Sequence, residues 1–192
     1  MRFNLKAPKD DMLLRYARMG LSERIDVLPD FDSINSFEDK FLRYEDYIKQ
    51  EISVLQEIGF DGYMILLQDV VVVSREISDF VECLGSINNS LTAFVLGITK
   101  EYEFDNLKNF VNFTPFRKKP IVNIVVSSHA NAGCVGYIKH KFPNIIKNIK
   151  KRSIVFKDAL KIKFIDLDID TEVDIDDLDK DILDVLIKNK II

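Results

Sequence analysis

The chain has 192 residues, 47% of them apolar and 30% charged, and a formal net charge of −4. This length suits one domain, or one domain with a small appendage, and is long enough to bury an ordinary core without disulfide or metal staples. The balance excludes a fibrous or disordered chain, and no apolar run approaches the roughly 20 residues of a membrane span.

The opening residues MRFNLKAPKDD lack the apolar core of about 7 to 15 residues found in a secretory signal. A cytoplasmic protein without membrane attachment is therefore expected, with Cys83 and Cys134 as reduced, inert thiols. Asp10 and Asp11 precede Met12, Leu13, Tyr16, Ala17 and Met19 at helical spacing, with Gly20 as the expected stop. Leu28 to Ser36 is rich in turn formers. Ser36 to Asp39 reads SFED, a capping box, and the apolar stripe Phe41, Tyr44, Ile48, Leu55 and Ile58 predicts a second helix ending at Gly59. Tyr63 to Ile77 fits either a buried strand or a buried helix by periodicity. Ser86 is the expected cap of a helix through Leu91, Phe94 and Val95 to Gly97, and Asp105 the cap of another through Phe110. Ile121 to Val126 is β-branched and short, a strand. A helix around Gly136 to Lys147 interrupted by Pro143, a strand near Ser153 to Phe156 and a helix from Asp177 to Lys188 complete the pattern.

The small net charge hides two opposed blocks. Arg117 to Lys163 holds twelve Lys and Arg against one acid, whereas Asp166 to Asp184 holds ten acids against one base. Such blocks are either solvated faces that neutralise each other or an anion-binding surface followed by an acidic segment. Arg117, Lys118, Lys119, Lys147, Lys150, Lys151 and Arg152 are interspersed with Phe116, Tyr137, Phe142 and Phe156. Cations that neutralise phosphates beside rings that stack on bases are the equipment of sequence-independent nucleic-acid binding. Asp166, Asp168 and Asp170 alternate, but fail as a calcium loop because Thr171 stands where the turn glycine is needed. His129, Cys134 and His140 lack the spacing and the fourth ligand of a zinc site.

Within Ile58 to Thr99, Gly59, Phe60, Gly62, Tyr63, Leu66, Asp69 and Val70 form one block, and Gly85, Ser86, Ser90, Leu91, Ala93, Leu96, Gly97, Ile98 and Thr99 a second. Their order and spacing resemble the palm of the bacterial replicative DNA polymerases, the polymerase III alpha or C family. The resemblance implies a helix at Tyr63 to Ile77 and a phosphate-approaching loop at Gly85 and Ser86. It extends more weakly to residues 10–187, where Gly136 to Lys161 is similar to the passage from palm to thumb. It does not include the family's N-terminal phosphoesterase-like domain, fingers or downstream catalytic aspartate.

The residues that would do chemistry depart from the family. Leu84 stands for the loop arginine, and Ile87, Asn88 and Asn89 replace small residues, which is expected to narrow the approach to the loop backbone. Two-metal phosphoryl transfer needs acids on one strand face. Ile121, Asn123 and Val125 stand at those positions, and a neutral asparagine cannot replace carboxylates around magnesium.

The reading is an α+β protein, an isolated C-family palm-like domain over residues 1–150 with N-terminal helices, followed by a thumb-like segment with an acidic C-terminal helix over 151–192. No catalytic residue, metal or cofactor is expected. Gly85 and Ser86 are the degenerate phosphate-binding residues, and the basic residues named above are the nucleic-acid contacts. The expected function is a catalytically inactive accessory factor that binds DNA or a replication protein. The alternative is an interaction module, a mobile-element or phage product that imitates or inhibits a host polymerase. Nucleotidyl transfer through Asp166, Asp168 and Asp170 is the remote third.

Overall fold

A computed structural model describes residues 11–31, 36–102, 121–150, 152–156 and 161–167. The expected helices at Asp105 and at Asp177 to Lys188 lie outside them, as do Arg117, Lys118, Lys119, Lys151, Asp168 and Asp170.

Helix α1 (Met12–Arg24) buries Leu13, Ala17 and Leu21, a four-residue repeat that keeps one face on the core. It does not stop at Gly20. A β-carbon there would lie 1.9 Å from the Val95 carbonyl oxygen, so the glycine marks a close helix crossing and not a terminus. Helix α2 (Phe37–Ile58) begins as expected: Ser36 Oγ accepts the Asp39 N–H at 3.0 Å. It ends where Gly59 takes a φ of 72°, with the Gly59 N–H donating to Gln56 and the Phe60 N–H to Leu55. That pair of bonds is a Schellman motif, which needs a residue tolerant of positive φ.

The ambiguous segment is helix α3 (Asp61–Ile77), buried along most of its first three turns. Burial outweighs the strand preference of its valine run. Strand β1 (Val81–Leu84) follows, fully buried. Gly85 and a 3-10 turn, Ser86–Asn89, then lead to α4 (Leu91–Val95). The cap of α4 is Ser90, whose Oγ accepts the Ala93 N–H at 2.9 Å, and not Ser86.

Strand β2 (Ile121–Ser127) lies where expected. The following helix, α5, spans Asn131–Lys141, earlier than the expected Gly136 to Lys147. Proline disfavours helical backbone in the residue before it, and Phe142 is out of the helix. Lys147 therefore belongs to strand β3 (Ile146–Lys150), which hairpins into the expected β4 (Ser153–Phe156). Strand β5 (Lys161–Leu167) completes a five-stranded sheet ordered β1-β2-β5-β4-β3 among the described residues. Only β2 and β5 are parallel. The division expected between residues 150 and 151 falls in the β3–β4 turn, inside this one sheet.

Helix α3 packs on β1 and α5 on β5, while α1 packs on α2 and α4. Val122, Ile124, Val126, Ile162, Phe164, Ile154 and Phe156, on alternate positions of three neighbouring strands, are buried, and so are Val125 and Ser153 on the opposite face. Tyr63 of α3 meets Phe156 edge-on at 5.5 Å, so helices and sheet share one core.

Candidate functional site

Strand register places the site. Because side chains alternate across a strand, cross-strand partners share a face. The face opposite the Val122, Ile124 and Val126 row carries Leu84, Asn123, Lys163, Ser153 and Lys150, one residue from each of the five strands in unbroken register; Leu84 and Ser153 are buried, Asn123 and Lys163 half-buried and Lys150 exposed. A second row on the same face joins the Ile121 position to Lys161, Val155 and Asn148. Glu82 and Val125 form a third pair, with Ile165 beside Val125. Two of the positions where the family resemblance requires carboxylates thus stand beside lysines. Among the described residues no ion pair engages Lys150, Lys161 or Lys163. Asn123 Oδ1 is buried without a hydrogen-bond partner there.

Lys147, Lys150 and Arg152 are exposed at the edge strand and its turn. Lys147 is the extra residue at a register shift, between Ile146 paired with Phe156 and Asn148 paired with Val155. The structure thus joins part of the expected basic set to Lys161 and Lys163, which lie outside that set. Their signal was the period-two pattern of KIKFI, a strand with cations on one side.

The loop after β1 is less open to phosphate than its glycine suggests. Gly85 has φ 112° and ψ −159°, a conformation reserved for glycine. Ile87, expected to narrow the loop, instead turns into the core, while Asn89 is exposed. The N-terminus of α4 is already occupied: Glu51 of α2 accepts the Thr92 N–H at 2.8 Å and the Ser90 hydroxyl hydrogen. Burial pushes the Glu51 carboxyl up to about 7, against hydrogen bonds from Ser90, Thr92 and Leu91 that lower it. Sequence reasoning missed Glu51. It sits between Ile48 and Leu55 on the apolar stripe of α2, and an acid in a core position was the available signal.

Arg75 of α3 donates to the Gly97 carbonyl at 2.7 Å, and Lys100 lies 3.3 Å from Glu82. Cys83 and Cys134 are buried thiols, and burial pushes Cys83 up to about 12. The Cys134 sulfur is 3.2 Å from Ser74 Oγ. Exposed His129 sits 4.0 Å from Asp79, and no metal-holding group of histidine, cysteine and acid is formed among the described residues. No helix among them is long and apolar enough to cross a membrane.

The α+β domain carries the two sequence blocks around α3 and on the β1–α4 connection. The family described as the bacterial DNA polymerase III alpha NTPase domain matches residues 11–176, and the chain belongs to that family. It is similar to the DNA polymerase III subunit alpha of Helicobacter pylori J99, 34% identical over 101 residues, which are 52% of this chain and 7% of that protein. It is also similar to the error-prone DNA polymerase of Corynebacterium glutamicum, 30% identical over 97 residues, 50% of this chain and 9% of that protein. A shorter match, 38% over 52 residues, is to the error-prone DNA polymerase of Corynebacterium diphtheriae. The chain spans less than a tenth of the length of these relatives.

Proposed function

We propose that this polymerase III alpha-like chain is not a nucleotidyltransferase but a nucleic-acid-binding accessory protein, a palm-like body followed by a thumb-like segment. The observation that carries the reading is the row Asn123, Lys163, Ser153, Lys150 across the sheet. Divalent ions held by carboxylates neutralise phosphate in two-metal catalysis. Here ammonium groups lie beside the positions where those carboxylates would stand. Lysines can neutralise a phosphate backbone, but they cannot activate a hydroxyl as a metal does. Lys161 and Lys163 stand about 6.6 Å apart along their strand, and Lys147, Lys150 and Arg152 extend the charge to the edge.

The test is retention of labelled DNA and RNA by the purified protein across a salt series. Binding is expected to fall with a log-log slope of about −0.9 per duplex phosphate contact, or about −0.7 for single strands. Replacing Lys147, Lys150, Lys151 and Arg152 by Glu, or Lys161 and Lys163 by Glu, should each weaken it without unfolding the chain. No retention at about 50 mM salt would leave the protein-interaction module as the reading. Primer extension that disappears on Asp168→Asn would overturn the non-catalytic reading itself.

A further inference from the structure

Strand β3 is an edge of the sheet, and among the described residues no strand pairs with its outer side. Its two faces differ. Ile146 and Ile149 stand opposite Phe156 and Ile154 and pack half-buried against the core, whereas Asn148 and Lys150 are exposed on the face shared with Lys161 and Lys163. Lys147 is exposed at the register shift. A sheet edge presents unpaired N–H and C=O groups, and lysines together with a bulge keep the wrong strand from pairing there. A neutral strand gains nothing from these cations, and β3 of a second copy would set lysines against lysines. The strand that fits carries carboxylates on the lysine face and apolar side chains on the isoleucine face.

The chain itself contains that pattern. Residues 168–176 read DIDTEVDID, with an acid at every even position and Ile169, Thr171, Val173 and Ile175 between them. Strict alternation is the period of a strand with two unlike faces, and the intervening residues are all β-branched. Geometry limits which sheet edge this segment can use. Strand β5 passes the level of Lys150 at Lys163 and runs on to Leu167, about 13 Å further at the rise of a strand. The outer side of β3 lies three strand spacings from β5, about 14 Å. A chain that turned back to its own β3 would use about six residues to cover both distances. The alternation ends at Asp176, because Asp177 follows it, so little of the pattern would remain to pair.

We infer that the β3 edge is an interface between two copies of this chain, in which residues 168–176 of one copy add as a strand beside β3 of the other and the exchange is reciprocal. The acids then lie beside Lys150 and the lysine face, and the β-branched residues extend the row of Ile146 and Ile149. A reciprocal exchange uses each contact twice and closes on itself, leaving no β3 edge for a third copy. The assignment is independent of nucleic-acid binding and is tested in its absence.

Sedimentation equilibrium of the nuclease-treated full chain should show a dimer in the micromolar range. Lys147→Glu with Lys150→Glu makes the edge acidic at exposed positions, and Asp170→Lys with Glu172→Lys makes the segment basic. Each variant by itself should dimerise about tenfold or more weakly than the parent, because like charges then face each other. Mixed in equal amounts, the two should associate as the parent does, since every edge again meets a segment of opposite charge. A third variant, with residues 168–176 reordered so that the acids are contiguous, keeps the composition and charge but loses the alternation, and it should stay monomeric. Far-ultraviolet dichroism checks that each variant keeps the fold. A parent that remains monomeric up to millimolar concentration, a mixture no more dimeric than its components, or a reordered segment that dimerises like the parent would overturn the inference.

Discussion

Glu51 carries a carboxyl group into the core of the domain and ties α2 to the start of α4 through Ser90 and Thr92. Burial raises its pKa from 4.5 to about 7, so between these values the folded chain holds a proton that the unfolded chain releases. The stabilisation from this group is complete below about pH 4.5 and is lost as pH rises through about 7. Folding stability should therefore decline across that window, by an amount of order a few kcal/mol. Glu51→Gln keeps an acceptor for the Thr92 N–H and has no proton to lose, so its urea midpoint should change much less between pH 5 and pH 7. Parallel midpoints in the two proteins would show that the carboxyl does not titrate there. The same residue shows how a site escapes a sequence reading. Its place on the stripe of α2 was legible, but the partner that makes it useful arrives 39 residues later, through tertiary packing.

Elements depend on what they touch as much as on their own residues, and two glycines in helices separate the effects. Gly20 within α1 faces the Val95 carbonyl, where a β-carbon would lie at 1.9 Å, whereas Gly136 within α5 has nothing within 4 Å of that position. Alanine is favoured over glycine in a helix interior by about 1 kcal/mol. Gly136→Ala should stabilise by about that amount. Gly20→Ala must push α1 away from α4 and should destabilise by about 1–3 kcal/mol. Equal and favourable shifts in the two melting temperatures would mean that the crossing is looser than described. Local signals alone read Gly20 as a helix stop, since a glycine at a close crossing and one at a terminus look alike in sequence. The cap of α4 failed for a related reason: Ser86 and Ser90 are equally good caps, and the Gly85 turn, with its 3-10 continuation, decides for the second. The capping box of α2 and the β-branched run of β2 needed no such arbitration and were read directly. Strands β1, β3 and β5 were not, because they are short or carry lysines, and pairing supplies most of what holds them.

At the scale of the whole molecule the separation of charge along the chain has a functional consequence. The basic sheet face draws on Lys150, Lys161 and Lys163, and the acidic block begins at Asp166, within the last residues of β5. A tethered anion competes with an external one at an effective concentration set by the tether, which is short here. The acidic block, most of which lies outside the described residues, is therefore expected to mask the proposed nucleic-acid surface in the full chain. Neutralising Asp166, Asp168, Asp170 and Asp174 to Asn should raise affinity for DNA or RNA at low salt. The gain should fade as screening shortens the Debye length to about 8 Å near 0.15 M. Removing the segment would confuse the result, because Ile182, Val185 and Leu186 have the spacing of a packed helix face. The four-site variant keeps those residues. Its fold is checked by far-ultraviolet dichroism and its binding by the same salt series as the parent. An affinity equal to the parent's at every salt concentration would mean that the acids form a solvated surface or a separate partner site, with the basic face open all along.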